Sequence, residues 1–66
     1  MIVQVNDKSV EVAENCSVAQ LAQQLQLPER GVAVAVNNDV IPRNIWHRTL
    51  LESNFKIMIV MAVSGG

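Results

Sequence analysis

Sixty-six residues with a formal net charge of −1, one cysteine and one histidine describe a single small domain, residues 1–66. Such a chain buries only roughly 60% of its unfolded surface, and Cys16 with His47 makes neither an internal disulfide nor a zinc set. A dense apolar core must therefore hold it, and half the residues are apolar.

The five cations, Lys8, Arg30, Arg43, Arg48 and Lys56, form no run, and only Trp46 and Phe55 offer rings for stacking on bases. That pattern excludes an ordinary nucleic-acid binder. No stretch approaches the roughly 18 apolar residues of a membrane span. The N-terminus carries no basic region ahead of an apolar block, so no signal peptide is expected. With a lone cysteine, the reading is a cytoplasmic protein.

Along the chain, residues 2–6 and 9–12 alternate apolar with polar, Val3 and Val5 against Gln4 and Asn6, Val10 and Val12 against Ser9 and Glu11. This period of two marks a half-buried hairpin, turned at Asn6-Asp7-Lys8. Ser17 and Gln20 then form an S-x-x-Q capping box, with Cys16 and Leu21 at the positions of a hydrophobic staple. Val18, Leu21, Ala22 and Leu25 make one apolar stripe, and Leu27-Pro28 is expected to end this helix. Gly31 supplies the turn back. Residues 32–36 read as a strand with a valine face and an alanine face. Asn37-Asn38-Asp39 turns the chain into a short return strand at Val40-Ile41, which Pro42 confines to a sheet edge. From Arg43 to Leu51 there is no clean period. Ile45, Trp46, Leu50 and Leu51 are expected to tuck this stretch against the core.

After a turn at Glu52-Ser53-Asn54, the longest strand runs from Phe55 to Val63. Phe55, Ile57, Ile59, Met61 and Val63 form one face, and Lys56, Met58, Val60 and Ala62 the other. Both faces are largely apolar, but one helix covers only one of them. Met58, Val60 and Ala62 are therefore read as a partner-binding surface. The order of elements predicts an α+β domain, one mixed sheet of four to five strands with one helix packed across it.

The chain ends Val63-Ser64-Gly65-Gly66. Without a Cβ, glycine lies extended in channels too narrow for other residues, so Gly65 and Gly66 make a thin, flexible arm bearing a carboxylate. A terminal carboxylate is ionised at neutral pH, its reference pKa being about 3.3–3.7, and on such an arm it has the shape to enter another protein's active site. No nucleophile–base pair, metal set or phosphate-cradling glycine loop is visible. The chain reads as a protein co-substrate, not an enzyme. Cys16 beside the helix start reads as a small hydrophobe, His47 as a surface histidine and Asn37 as a turn residue. Arg43, placed by the rigid Pro42, is either a partner contact or a solvated edge charge.

Val36-Asn37-Asn38-Asp39-Val40-Ile41-Pro42-Arg43 fits V-N-x-x-x-V/I-P-R. Followed by Trp46 and an apolar strand into Ser64-Gly65-Gly66, it resembles the ThiS-like sulfur carriers of thiamine biosynthesis over the whole chain. One departure is Glu52-Ser53-Asn54, where that family usually has an acidic-Gly-Asp loop; Asn54 can take the left-handed conformation of the missing glycine. The resemblance implies the ubiquitin-like β-grasp fold and a carrier role for Gly66. Its carboxylate would be adenylated by an E1-like, ThiF-like adenylyltransferase using ATP and Mg, with no cofactor bound by this chain. Sulfur derived from cysteine through a desulfurase would make it a thiocarboxylate, and a ThiG-like thiazole synthase would take the sulfur into thiazole. Ser64 and Arg43 join Met58, Val60 and Ala62 as expected partner contacts. The alternatives are a MoaD-like carrier for molybdopterin synthesis and a non-covalent β-grasp binding module.

Overall fold

Two asparagine-led turns set the frame of the sheet. In the computed structural model, which describes residues 1–28 and 30–61, strand β1 (Ile2–Val5) returns as β2 (Lys8–Glu11) through Asn6 and Asp7. Strand β3 (Val32–Val36) returns as β4 (Asp39–Val40) through Asn37 and Asn38. All four turn residues have positive φ, 48° and 68° in the first turn and 51° and 75° in the second. Positive φ at both central positions is the mark of a type I′ turn, whose twist matches that of the flanking strands. Asparagine and aspartate tolerate it better than other non-glycine residues. The registers follow, Val5 opposite Lys8 and Val36 opposite Asp39.

The last strand, β5 (Lys56–Met61), fills the gap between these hairpins, giving five strands in the order β2-β1-β5-β3-β4. It runs parallel to β1, with Gln4 opposite Lys56 and Val5 opposite Ile57. It runs antiparallel to β3 over five pairs, from Val36 opposite Ile57 to Val32 opposite Met61. The turn before β5 holds Asn54 at φ 68°, so the asparagine does take the conformation expected of it.

Helix α1 (Val18–Gln24) lies across one face. Ser17 Oγ accepts from the Gln20 N–H at 3.1 Å, and Gln20 Oε1 accepts from the Ser17 N–H at 2.8 Å, closing the capping box. Cys16 and Leu21 are both buried. The helix stops earlier than Pro28 would require. Leu25 caps it, the Gln26 N–H donates to Gln23 O and the Leu27 N–H to Ala22 O. These are the two bonds of a Schellman motif, with Gln26 at φ 56° where glycine is usual.

Beneath the helix, Val3, Val5, Val34, Val36 and Ile57 meet Val18 and Leu21, with Val12, Cys16, Trp46 and Leu51 closing the sides. Burying each aliphatic side chain of this kind is worth about 1.5–3 kcal/mol. That is the stabilisation a chain without cross-links depends on. Residues 43–48 form a 3₁₀ helix (Arg43–Arg48) against α1. Residues 49–51 then pair with 16–18: the Val18 N–H donates to Thr49 O and the Leu51 N–H to Cys16 O. Extended pairing sends successive side chains to opposite sides, so Leu51 goes inward and Leu50 is 54% exposed. Leu50 therefore does not join the core as its apolarity suggests. Met61 too stands exposed on the helix side, because the two-turn helix leaves that end of the sheet uncovered.

Candidate functional site

The strand alternation that buries Ile57 turns Lys56, Met58 and Val60 to the opposite face of the sheet, which no element among the described residues covers. Met58 is 59% and Val60 57% exposed. Their neighbours on β3 are small, Ala35 opposite Met58 and Ala33 opposite Val60, so the two larger side chains stand proud. Ile2 and Val40 are exposed on the same face, and Gln4, Asn6, Asp7, Asn38 and Lys56 rim a shallow hollow beside Met58. The result is an apolar strip along the central strand with a polar border, the composition of a docking patch.

Side-chain amides hold this strand as well as backbone ones. Asn37 continues the β3 side of the ladder: its N–H donates to Lys56 O at 2.7 Å, and its Oδ1 accepts from the Lys56 N–H at 3.0 Å. Asn6 does the same from the β1 side two residues beyond the last backbone pair, with Oδ1 accepting from the Ile59 N–H at 2.8 Å and Nδ2 donating to Ile59 O at 3.2 Å. Sequence reasoning treated Asn6 and Asn37 as turn formers only. Nothing in a single sequence marks an asparagine that reaches a strand 53 residues away.

Of the residues expected to contact a partner, Met58 and Val60 lie together, while Ala62 and Ser64, like the expected carrier Gly66 and its neighbour Gly65, lie outside the described residues. Arg43 is elsewhere. It opens the 3₁₀ helix, its guanidinium 4.8 Å from the centroid of the Trp46 ring. Trp46 Nε1–H donates to Ile41 O at 2.8 Å. Arg43 and exposed His47 line a groove with Gln20 and Gln23 of α1, on the layer opposite Met58. Arg43 is thus neither an edge-strand charge nor a neighbour of the open face.

Cys16 is buried, its thiol bonded to Ser17 O at 3.4 Å, and burial pushes its pKa up. A thiol so placed is a poor nucleophile. Among the described residues no group of three or more His, Cys, Asp or Glu stands close enough to hold a metal. None of their helices is long and apolar enough to cross a membrane.

One mixed five-stranded sheet with a single helix across one face, its last strand parallel to its first, is a ubiquitin-like β-grasp domain. Within that class the chain belongs to the ThiS family, whose model matches residues 2–66. It is 28% identical over 61 residues to the sulfur carrier protein ThiS of Escherichia coli K12, covering 92% of each chain. It is 25% identical over 64 residues to the uncharacterized protein ycf40 of Porphyra purpurea, covering 97% of this chain and 90% of that one. The crystal structure of the thiamine biosynthesis protein ThiS from Geobacter metallireducens superposes with a TM-score of 0.84 at 26% identity, all of both chains being covered.

Proposed function

We propose that this protein is a sulfur carrier of thiamine biosynthesis whose cargo is borne on the carboxylate of Gly66. The observation that carries the reading is membership of the ThiS family over residues 2–66, a span that includes Gly65-Gly66. The open face of β5 supplies a place for an enzyme to grip a few residues before the glycines.

The chemistry follows from the terminus. In an E1-like, ThiF-like adenylyltransferase, a Gly66 carboxylate oxygen attacks the α-phosphorus of ATP. The α–β phosphoanhydride breaks, magnesium-bound pyrophosphate leaves, and a mixed anhydride remains. Its carbonyl carbon is now electrophilic. Sulfur taken from cysteine as a desulfurase persulfide, and brought to the sulfide level by two electrons from a thiol that ends as a disulfide, adds there and expels AMP, leaving a thiocarboxylate. A ThiG-like thiazole synthase then receives the sulfur. In this scheme ATP and metal belong to the activating enzyme, and the carrier contributes a docking face and a carboxylate. It is a co-substrate that others act upon.

Incubation with an activating enzyme, MgATP and a sulfur donor, followed by intact-mass analysis, tests the scheme. The expected product has one oxygen of Gly66 exchanged for sulfur. Unmodified protein recovered beside an enzyme that loads its own carrier would overturn it. The exposed strip of Met58 and Val60 also suits a non-covalent binding module. Deleting Gly65-Gly66 separates the two readings, since a module keeps its function and a carrier loses it.

A further inference from the structure

We infer that Asn6 is a positioning residue for carboxylate activation, its side-chain amide fixing the heading of β5 on the way to Gly66; this rests on the carrier reading above. The parallel pairing that joins β1 to β5 is very short. Two residue pairs make it, with backbone bonds from the Gln4 N–H to Phe55 O at 2.9 Å and from the Asn6 N–H to Ile57 O at 3.0 Å. At Asn6 the backbone swings away into its turn at φ 48°. The next peptide that a straight β1 would have offered to β5 is therefore missing. The Asn6 side chain stands in its place, offering the same acceptor and donor as a peptide group, and takes both the N–H and the C=O of Ile59.

Ile59 is the last residue of β5 held from the β1 side among the described residues, and it stands seven positions before Gly66. On the other side, β3 holds β5 as far as Met61. With β3 alone, Met58 and Val60 keep their places opposite Ala35 and Ala33, so docking survives. The end of the strand, however, gains freedom to pivot about a single ladder. A carboxylate that must sit in line with an α-phosphate is sensitive to such freedom, because small misplacements of reacting atoms slow a step far more than they weaken binding. Asn6 borders the open strip, but its amide is spent on Ile59, so it affects turnover through that residue and not by touching ATP.

Asn6→Gly removes the amide and keeps the turn, since glycine adopts positive φ without strain. The Ile59 amide proton, followed by hydrogen exchange in the full chain, is expected to exchange about tenfold faster, the equivalent of one net hydrogen bond. The Val34 amide is expected to be unchanged. In ATP–pyrophosphate exchange with the activating enzyme, kcat is expected to fall about tenfold with KM within about twofold. Asn6→Asp, which keeps the acceptor and loses the donor, should fall between. Asn37→Gly is the control: it removes the side-chain bond to the Lys56 N–H at the other end of β5, keeps the backbone bond to Lys56 O, and should leave kcat alone.

Unchanged Ile59 exchange in Asn6→Gly, unchanged kcat, or an equal loss of kcat in Asn37→Gly would each overturn the positioning role while leaving the carrier reading intact. A wild-type chain inert toward an enzyme that activates its own carrier would overturn the carrier reading, and the role of Asn6 with it.

Discussion

Replacing Met58 and Val60 together by threonine is the sharpest test of the open face. Threonine keeps the β-branched preference for a strand and removes most of the apolar surface. Full burial of a Val or Met side chain is worth about 1.5–3 kcal/mol. Met58 is already 41% and Val60 43% covered, being 59% and 57% exposed, so only the remaining fraction is left for a partner to bury. Scaling gives about 1–1.7 kcal/mol for each residue, and threonine retains part of it. A loss of about 2 kcal/mol for the pair corresponds to roughly 30-fold in Kd. Isothermal titration of the activating enzyme with wild-type and Met58→Thr/Val60→Thr carrier, both ending in Gly66, measures this directly. Exposed substitutions shift stability by about 0.5 kcal/mol at most, or about 4 °C in Tm for a domain of this size, so folding is expected to survive. An affinity within threefold of wild type, in a variant that melts normally, would refute the assignment of this face to docking.

Deleting Gly66 should abolish sulfur loading in the intact-mass assay and leave Tm within about 2 °C, because every buried apolar residue among those described lies between Val3 and Ile57. Gln26→Gly should stabilise the domain by about 0.5–1 kcal/mol in urea unfolding, since a non-glycine residue held at φ 56° carries a left-handed penalty that glycine escapes. Iodoacetamide should label Cys16 only when the protein unfolds. Because burial raises the folded-state pKa of that thiol, stability should be constant below the ordinary thiol pKa of about 8.5 and decline as pH rises above it. Denaturant melts at pH 7 and pH 10 would show this.

Local signals account for most of what could be read in advance. The hairpins were legible because Asn-Asp and Asn-Asn are turn formers between alternating strands, and the helix start because a capping box spans only four residues. β5 was legible as the longest strand from its unbroken apolar run, and its two apolar faces suit the central place it occupies. The C-terminal end of the helix was not legible, since glutamine is not a residue that announces a left-handed cap. Leu50 and Met61 read as core from composition alone, and their exposure depends on a pairing with Ser17 and on the reach of a short helix. The exposure of Met58 and Val60 was legible from the two apolar faces of their strand, yet the limits of the open strip were not. Arg43 lies on the other layer, held over Trp46, because the chain leaves the sheet after Val40. The clasp from Asn6 to Ile59 depends wholly on tertiary placement.

The position of β5 also bears on how the sheet is held together. Hydrogen bonding runs β2-β1-β5-β3-β4, so β1 and β3 share no ladder and are joined through β5, the last strand among the described residues. A copy that stops before Lys56 leaves two separate hairpins and a helix with half a floor, a state with little to hold it together. Both hairpins therefore depend on β5 for their connection, and a break in that one strand separates the sheet into two halves.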